Sequence, residues 1–143
     1  MEVTAMPNRR YISGVRLERE IRQILEERYN IPCLRTAGSK SDFDLIALGK
    51  RTLLIQVKYT SKKNIKLSRT YIRKFYRYTT PNRWVAIVVV RRQTRLTNLV
   101  WIIDEPYWYD YYGLCSHDSM AVKFPDAMNK LYQLCSGHEI NNQ

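Results

Sequence analysis

The stretch Phe43-Asp44-Leu45-Ile46-Ala47-Leu48, followed by Leu53-Leu54-Ile55-Gln56-Val57-Lys58, decides the reading of this 143-residue chain. Two apolar runs of strand length flank a break at Gly49-Lys50, which predicts a hairpin over residues 43–48 and 52–59. Side chains alternate between the faces of a strand. Leu53, Ile55 and Val57 therefore share one face and feed a core, while Gln56 and Lys58 share the other. A Gln and a Lys on an otherwise apolar strand need a purpose, because burying either without a partner is costly. Asp44, at the start of the neighbouring strand, could stand beside them. A carboxylate, an amide oxygen and an ammonium would then meet in one small site.

Working outward, Ser13 is a candidate cap for a helix to about Tyr29, with Leu17, Ile21, Ile24 and Leu25 on one stripe and Asn30 and Pro32 ending it. A strand is predicted over Ile31 to Thr36, then a turn at Ala37-Gly38-Ser39-Lys40-Ser41. Beyond the hairpin come a basic loop with Lys62, Lys63 and Lys66, and a second helix from Ser68 to about Tyr78. Arg83 to Arg91 contains Val85-Ala86-Ile87-Val88-Val89-Val90, apolar on both faces as in a central strand. Leu99 to Ile103 is a fifth strand, residues 104–125 read as irregular, and a last helix runs from Asp126 to about Cys135. The order α-β-β-β-α-β-β-α predicts one α/β domain on a mixed sheet of about five strands. It comprises an arm (1–12), a core (13–103), an aromatic-rich extension with a helix (104–135) and a mobile tail (136–143).

The chain carries 24 Lys+Arg against 13 Asp+Glu, for a net charge of +11, and the excess is uneven. Residues 1–100 hold 22 basic and 7 acidic residues, whereas residues 101–143 hold 2 and 6. A basic body of this kind attracts polyanions, nucleic acid first. A hydrophobic fraction of 45% argues against disorder. No apolar run reaches the roughly 18 residues a membrane span needs. The N-terminus reads without a signal peptide, and three Cys with no C-x-x-C pair fit a reducing compartment, so a cytoplasmic location is expected.

A carboxylate, an amide oxygen and a lysine together suit metal-assisted phosphodiester hydrolysis. Oxygen ligands hold Mg²⁺ or Mn²⁺, the metal acidifies an attacking water, and a lysine offsets developing negative charge. Glu18 and Glu20 on the first helix could add a carboxylate. Four stretches in order carry a resemblance: Gly14-Val15-Arg16-Leu17-Glu18-Arg19-Glu20, Leu34-Arg35-Thr36-Ala37-Gly38-Ser39-Lys40, Phe43-Asp44-Leu45-Ile46-Ala47 and Leu54-Ile55-Gln56-Val57-Lys58. Over about residues 13–60 the chain resembles the archaeal Holliday-junction resolvase family, a branch of the PD-(D/E)xK nuclease superfamily. The resemblance implies a restriction-endonuclease-like core and a structure-selective, Mg²⁺-dependent endonuclease on branched DNA, with Mn²⁺ a possible substitute. It implies an archaeal or archaeal-virus source. A homodimer is expected, since symmetrical cutting of a four-way junction needs two active sites.

By the resemblance, Glu18 and Asp44 match metal ligands and Lys58 the catalytic lysine. Arg19 and Arg35 match basic residues that contact the DNA backbone or order the site, and Ser39, beside Lys40, matches a turn serine. Gln56 departs from the family's Glu; it retains an amide oxygen for a metal but brings no charge. An active natural variant, an inactive DNA binder and an engineered change are all compatible with it. Asp42 could restore the missing carboxylate. Nucleases of this fold that cut other DNA, and a catalytically silent DNA-binding protein, are the alternative functions.

Lys62, Lys63, Lys66, Arg69, Arg73, Lys74 and Arg77 form a dense basic run suited to phosphate contact. Tyr71, Phe75, Tyr76 and Tyr78 read as core or dimer surface. Trp101, Tyr107, Trp108, Tyr109, Tyr111 and Tyr112 suit self-association or base stacking. Cys115, His117, Cys135 and His138 are a weak zinc pattern, because the C-x-H spacing is unusual.

Overall fold

The computed structural model describes residues 9–36, 42–102, 114–117 and 121–137, with the side chains of 9–13 and 114–117 excepted. Helix α1 (Arg9–Gln23) continues into one wider π turn (Ile24–Arg28). It starts before Ser13, so that residue is no cap and part of the expected arm is helical. Arg, Tyr and Ile carry little helix penalty, and the serine is passed over as an interior residue. The helix ends as the sequence predicts. Asn30 adopts φ 56°, and the Ile31 amide closes back on the Leu25 carbonyl at 2.8 Å, a left-handed C-terminal cap.

Strands β1 (Cys33–Arg35), β2 (Leu45–Leu48), β3 (Thr52–Thr60), β5 (Arg83–Arg91) and β6 (Thr97–Ile102) form the expected mixed five-stranded sheet in the order β1-β2-β3-β5-β6. β3 pairs parallel with β5, and the other neighbours are antiparallel. Between β3 and β5 lie strand β4 (Asn64–Leu67) and helix α2 (Arg69–Tyr76). β4 corrects the reading of that segment as loop. Its Ile65 and Leu67 alternate with Asn64 and Lys66, a short period-two pattern hidden by lysines, and it pairs with β7 (Leu114–His117), inside a segment expected to be irregular. Helix α3 (Phe124–Cys135) begins two residues before Asp126, with Pro125 in its first turn where no amide is needed.

Both sheet faces are covered. Leu17, Ile21 and Leu25 of α1 and Met128, Leu131 and Leu134 of α3 pack with Leu53, Ile55, Ala86 and Val88. On the opposite face, Ile72 and Phe75 of α2 pack with Leu54, Val85, Ile87 and Val89. The apolar run of β5 therefore alternates between two cores, as its composition predicts. Ser68 caps α2, its Oγ accepting from the Tyr71 amide at 3.1 Å.

The hairpin turn docks on the end of α3. Arg51 donates from Nη1 to the Leu134 carbonyl at 2.7 Å, and its guanidinium lies 3.3 Å from the centre of the Trp84 ring. A Cβ on Gly49 would stand 2.3 Å from the Cys135 carbonyl oxygen, so only glycine permits this approach. Gly14, inside α1, has open space where its Cβ would be. Gly49→Ala should therefore destabilise the fold by about 1–3 kcal/mol, whereas Gly14→Ala should stabilise it by about 0.5–1 kcal/mol. Thermal unfolding of the two variants checks this, and an equal shift in both would contradict the close packing at Gly49.

Candidate active site

The cover over β3 runs out midway. Leu53, Leu54 and Ile55 are buried, and every residue from Gln56 to Thr60 is only partly so. Polar side chains can emerge there without full desolvation, and Gln56 and Lys58 do so on the face covered by α2. Asp44 sits where β2 begins. Its amide donates to the Ile55 carbonyl at 2.8 Å, its carbonyl accepts from the Thr36 amide at 3.0 Å, and its carboxylate Oδ2 accepts from the Val57 amide at 2.8 Å. Backbone and side chain are thus fixed to the strand that carries Gln56 and Lys58.

Glu18 arrives from α1, one residue past the buried Leu17, and is only 15% exposed. Arg35, on the last position of β1, donates from Nε to Glu18 Oε1 at 3.1 Å. The sequence assigned Arg35 to DNA or to ordering the site, and this bond supports ordering. Arg19 is exposed and lines a surface groove with Arg22 and Arg35.

The electrostatics follow from this crowding. Burial raises the pKa of Glu18, and the negative charge of Asp44 raises it further, against the pull of Arg35 and Arg19. Burial also raises that of Asp44, opposed by the Val57 amide, Arg35 and Lys58. Lys58 is lowered by burial and by the ammonium of Lys74, with Asp44 opposing. Two partly desolvated carboxylates, with the Asp44 charge adding to the cost of ionising Glu18, on a sheet end that also carries Gln56, are a donor set that a hard divalent cation fits. Among the described residues no three His, Cys, Asp or Glu cluster as a metal site. With Gln at position 56, the acids brought here among the described residues are Glu18 and Asp44.

Asp42 does not fill the missing place. It accepts from the Tyr78 hydroxyl at 2.8 Å and lies 4.0 Å from Lys74 Nζ and 3.8 Å from Arg77 Nη2, so it braces the end of α2 instead. Lys58, Thr60, Lys62, Asn64 and Lys66 line a groove of about 590 Å³ that leads away from the site. The loop in it is held from beneath by the buried Arg91, whose Nη2 donates to the Lys63 carbonyl at 2.8 Å and whose Nη1 bonds Asn98. Arg69 and Arg73 are exposed on α2. Ser39 and Lys40 lie outside the described residues, as do His138 and the side chains of Cys115 and His117. Cys135, the remaining member of the zinc pattern, is buried near Cys33, and burial pushes its thiol up to about 12.

Sequence reasoning missed Tyr71, Asp42's role and Arg91. Tyr71 looked like core, yet its ring faces Lys58 at 4.6 Å. The signal was positional: Tyr71 stands one residue before Ile72 and four before Phe75, at the margin of the stripe that α2 buries.

The mixed five-stranded sheet flanked by helices is a restriction-endonuclease-like fold, and its half-covered end bears Asp44, Gln56 and Lys58, with Glu18 reaching it from α1. The sequence profile described as "Archaeal holliday junction resolvase (hjc)" matches residues 9–106. The chain belongs to that family and is a Holliday-junction-resolving endonuclease. No curated protein is significantly similar to it in sequence. Among solved structures it is similar in fold to Hjc, a Holliday junction resolvase from the archaeal hyperthermophile Archaeoglobus fulgidus. The TM-score is 0.53 at 16% identity, over 82% of this chain and 96% of that one. Among the described residues no helix is long and apolar enough to cross a membrane.

A carboxyl whose pKa is raised by folding binds its proton more tightly in the folded chain than in the unfolded one. Stability is then lost as pH rises through the window between the unfolded and folded values, and the full penalty applies above it. Asp44→Asn keeps an oxygen acceptor for Val57 and removes the charge. In metal-free buffer at neutral pH it should raise Tm by about 3 °C, and the difference should vanish toward acid pH. Calorimetry at pH 7 and pH 4 checks this; a lower Tm for the variant at pH 7 would refute it.

Proposed function

We propose that Glu18, Asp44 and the Gln56 amide oxygen hold a divalent ion, Mg²⁺ or alternatively Mn²⁺, beside Lys58, and that this site cuts DNA at four-way junctions. The bond from Val57 to Asp44 carries the reading, since it fixes the central carboxylate on the strand of Gln56 and Lys58. The metal, when bound, polarises the scissile phosphate and lowers the pKa of a water. Arg35 keeps the Glu18 carboxylate oriented. Lys58 stands where its ammonium can orient the attacking water and offset charge on the phosphate. Lys62, Lys63 and Lys66 along the groove, with Arg69 and Arg73 on α2, neutralise backbone phosphates and position the duplex without reading bases. Arg19, Ser39 and Lys40 are assigned to the same backbone contact on the α1 side. Selectivity then comes from junction shape. The active unit is a homodimer, because paired cuts across a two-fold junction require two sites.

Labelled four-way junction and matched duplex, each with Mg²⁺ or Mn²⁺, test this on binding and cleavage gels. Paired symmetrical cuts in the junction are expected. Asp44→Ala and Lys58→Ala should each lower cleavage at least about 1000-fold with junction binding retained. Gln56→Glu should lower the metal concentration for half-maximal cleavage by about tenfold, since it adds a full negative charge. Equal cutting of duplex would mark a nuclease for other DNA. Binding without cuts, even after Gln56→Glu, would mark a silent DNA-binding homologue.

A further inference from the structure

Lys58 needs something to hold it. It is long and flexible, and a catalytic ammonium must be confined to the reacting phosphate to be effective. Among the described residues Lys58 has no salt bridge, and Gln56, two residues away on the same face, brings no charge. One oxygen of Asp44, Oδ2, accepts from the Val57 amide at 2.8 Å, and the Asp44 charge attracts the ammonium without closing to a salt bridge. The group that faces the ammonium is the ring of Tyr71, with the Lys58 nitrogen 4.6 Å from its centroid. A cation within about 6 Å of an aromatic face is attracted to it electrostatically.

Tyr71 is itself well placed to act as a fixed wall. The Ser68 cap holds its amide at 3.1 Å, and its ring meets Phe75 edge-on at 5.1 Å and 84°. Among the described residues its buried hydroxyl has no hydrogen-bond partner. A core tyrosine would ordinarily give its hydroxyl a partner. Lys74 shares the same ring at 4.8 Å and is restrained on its other side by Asp42 at 4.0 Å. The ring therefore gathers two ammonium groups that repel each other, and it stands between them and the apolar core beneath α2.

We propose that Tyr71 is a positioning residue for Lys58: its ring confines the catalytic ammonium through a cation–π contact, in a site where position 56 supplies no negative charge. This rests on the reading of Lys58 as the catalytic lysine. It explains why an aromatic at the margin of α2 is directed at the sheet end rather than fully into the core. It also gives α2 a part in the chemistry besides its basic outer surface.

Fluorination of the ring separates this from a packing role, because it drains the π face with little change of shape. Position 71 is replaced by Phe and then by mono-, di- and trifluorinated Phe. Single-turnover cleavage of a four-way junction is measured at saturating protein with Mg²⁺, together with junction affinity. Tyr71→Phe should keep the rate within about threefold, and the series should then fall steadily to about tenfold slower at trifluoro-Phe with affinity unchanged. A flat series would overturn the proposal. A second readout is independent of cleavage. In ¹³C-lysine spectra the Lys58 ε-methylene protons, assigned by Lys58→Arg, should be shifted upfield by the ring and should return toward the other lysines in Tyr71→Leu. Absence of that shift would also overturn it. If the wild-type protein cuts neither junction nor duplex, the catalytic reading falls and the inference with it, whatever the spectra show of the contact.

Discussion

The site depends on one constraint, the point at which β3 stops being covered. Through Ile55 the strand is buried on both faces, and a charge there would be prohibitively costly. From Gln56 onward it is half-buried, while its parallel neighbour β5 stays buried through Arg91. A rigid, fully packed strand thus supports a partly solvated one, and functional side chains gain fixed positions without full desolvation. The other parts converge on this point. β2 begins beside it with Asp44, α1 crosses it with Glu18, and α2 brings Tyr71.

The carboxylates placed there are uncomfortable by construction. Burial works against both charged forms, the Asp44 charge works further against that of Glu18, and Arg35 offsets only part of the cost. Stability alone would favour a neutral pair. Retaining two acids at the edge of the core makes sense for a site whose stabilising partner is a cation from solution. The same argument explains Asp42. It lies two residues from Asp44, yet it accepts from the Tyr78 hydroxyl, pairs with Lys74 and Arg77, and serves the fold of α2.

The chain was most legible where periodicity and composition agreed. The alternation in Leu53 to Lys58 separated the core-facing Leu53, Ile55 and Val57 from the partly exposed Gln56 and Lys58, and the doubly apolar run of β5 marked the sheet centre. Asn30 announced the end of α1. Legibility failed where polar residues hid a short strand, as at Asn64–Leu67, and where a cap candidate competed with ordinary helix formers, as at Ser13. It also failed for partnerships between distant segments. Nothing in the neighbourhood of Asp42 points to Tyr78, and nothing local to Arg91 points to the Lys63 carbonyl. Such contacts are set by the crossover that lays β4 and α2 between β3 and β5, which a linear pattern does not encode.

Charge follows the same geometry. The excess of basic residues in the first hundred positions is arranged around very few acids, and each acid described near the site has an identifiable duty. Glu18 and Asp44 stand partly desolvated at the sheet end, and Asp42 restrains α2. The lysines and arginines divide likewise. Arg35 orders a ligand and Arg91 braces a loop from inside, whereas Lys62 and Lys66 line the open groove. A basic nuclease must keep its own cations from collapsing onto its metal-binding carboxylates, because a lysine seated there would displace the metal. Arg35 touches Glu18 through a single Nε contact, and the Lys58 ammonium lies 4.6 Å from the centre of the Tyr71 ring. The neutral Gln56 fits this division: it leaves that end of β3 with less negative charge to draw a neighbouring lysine inward.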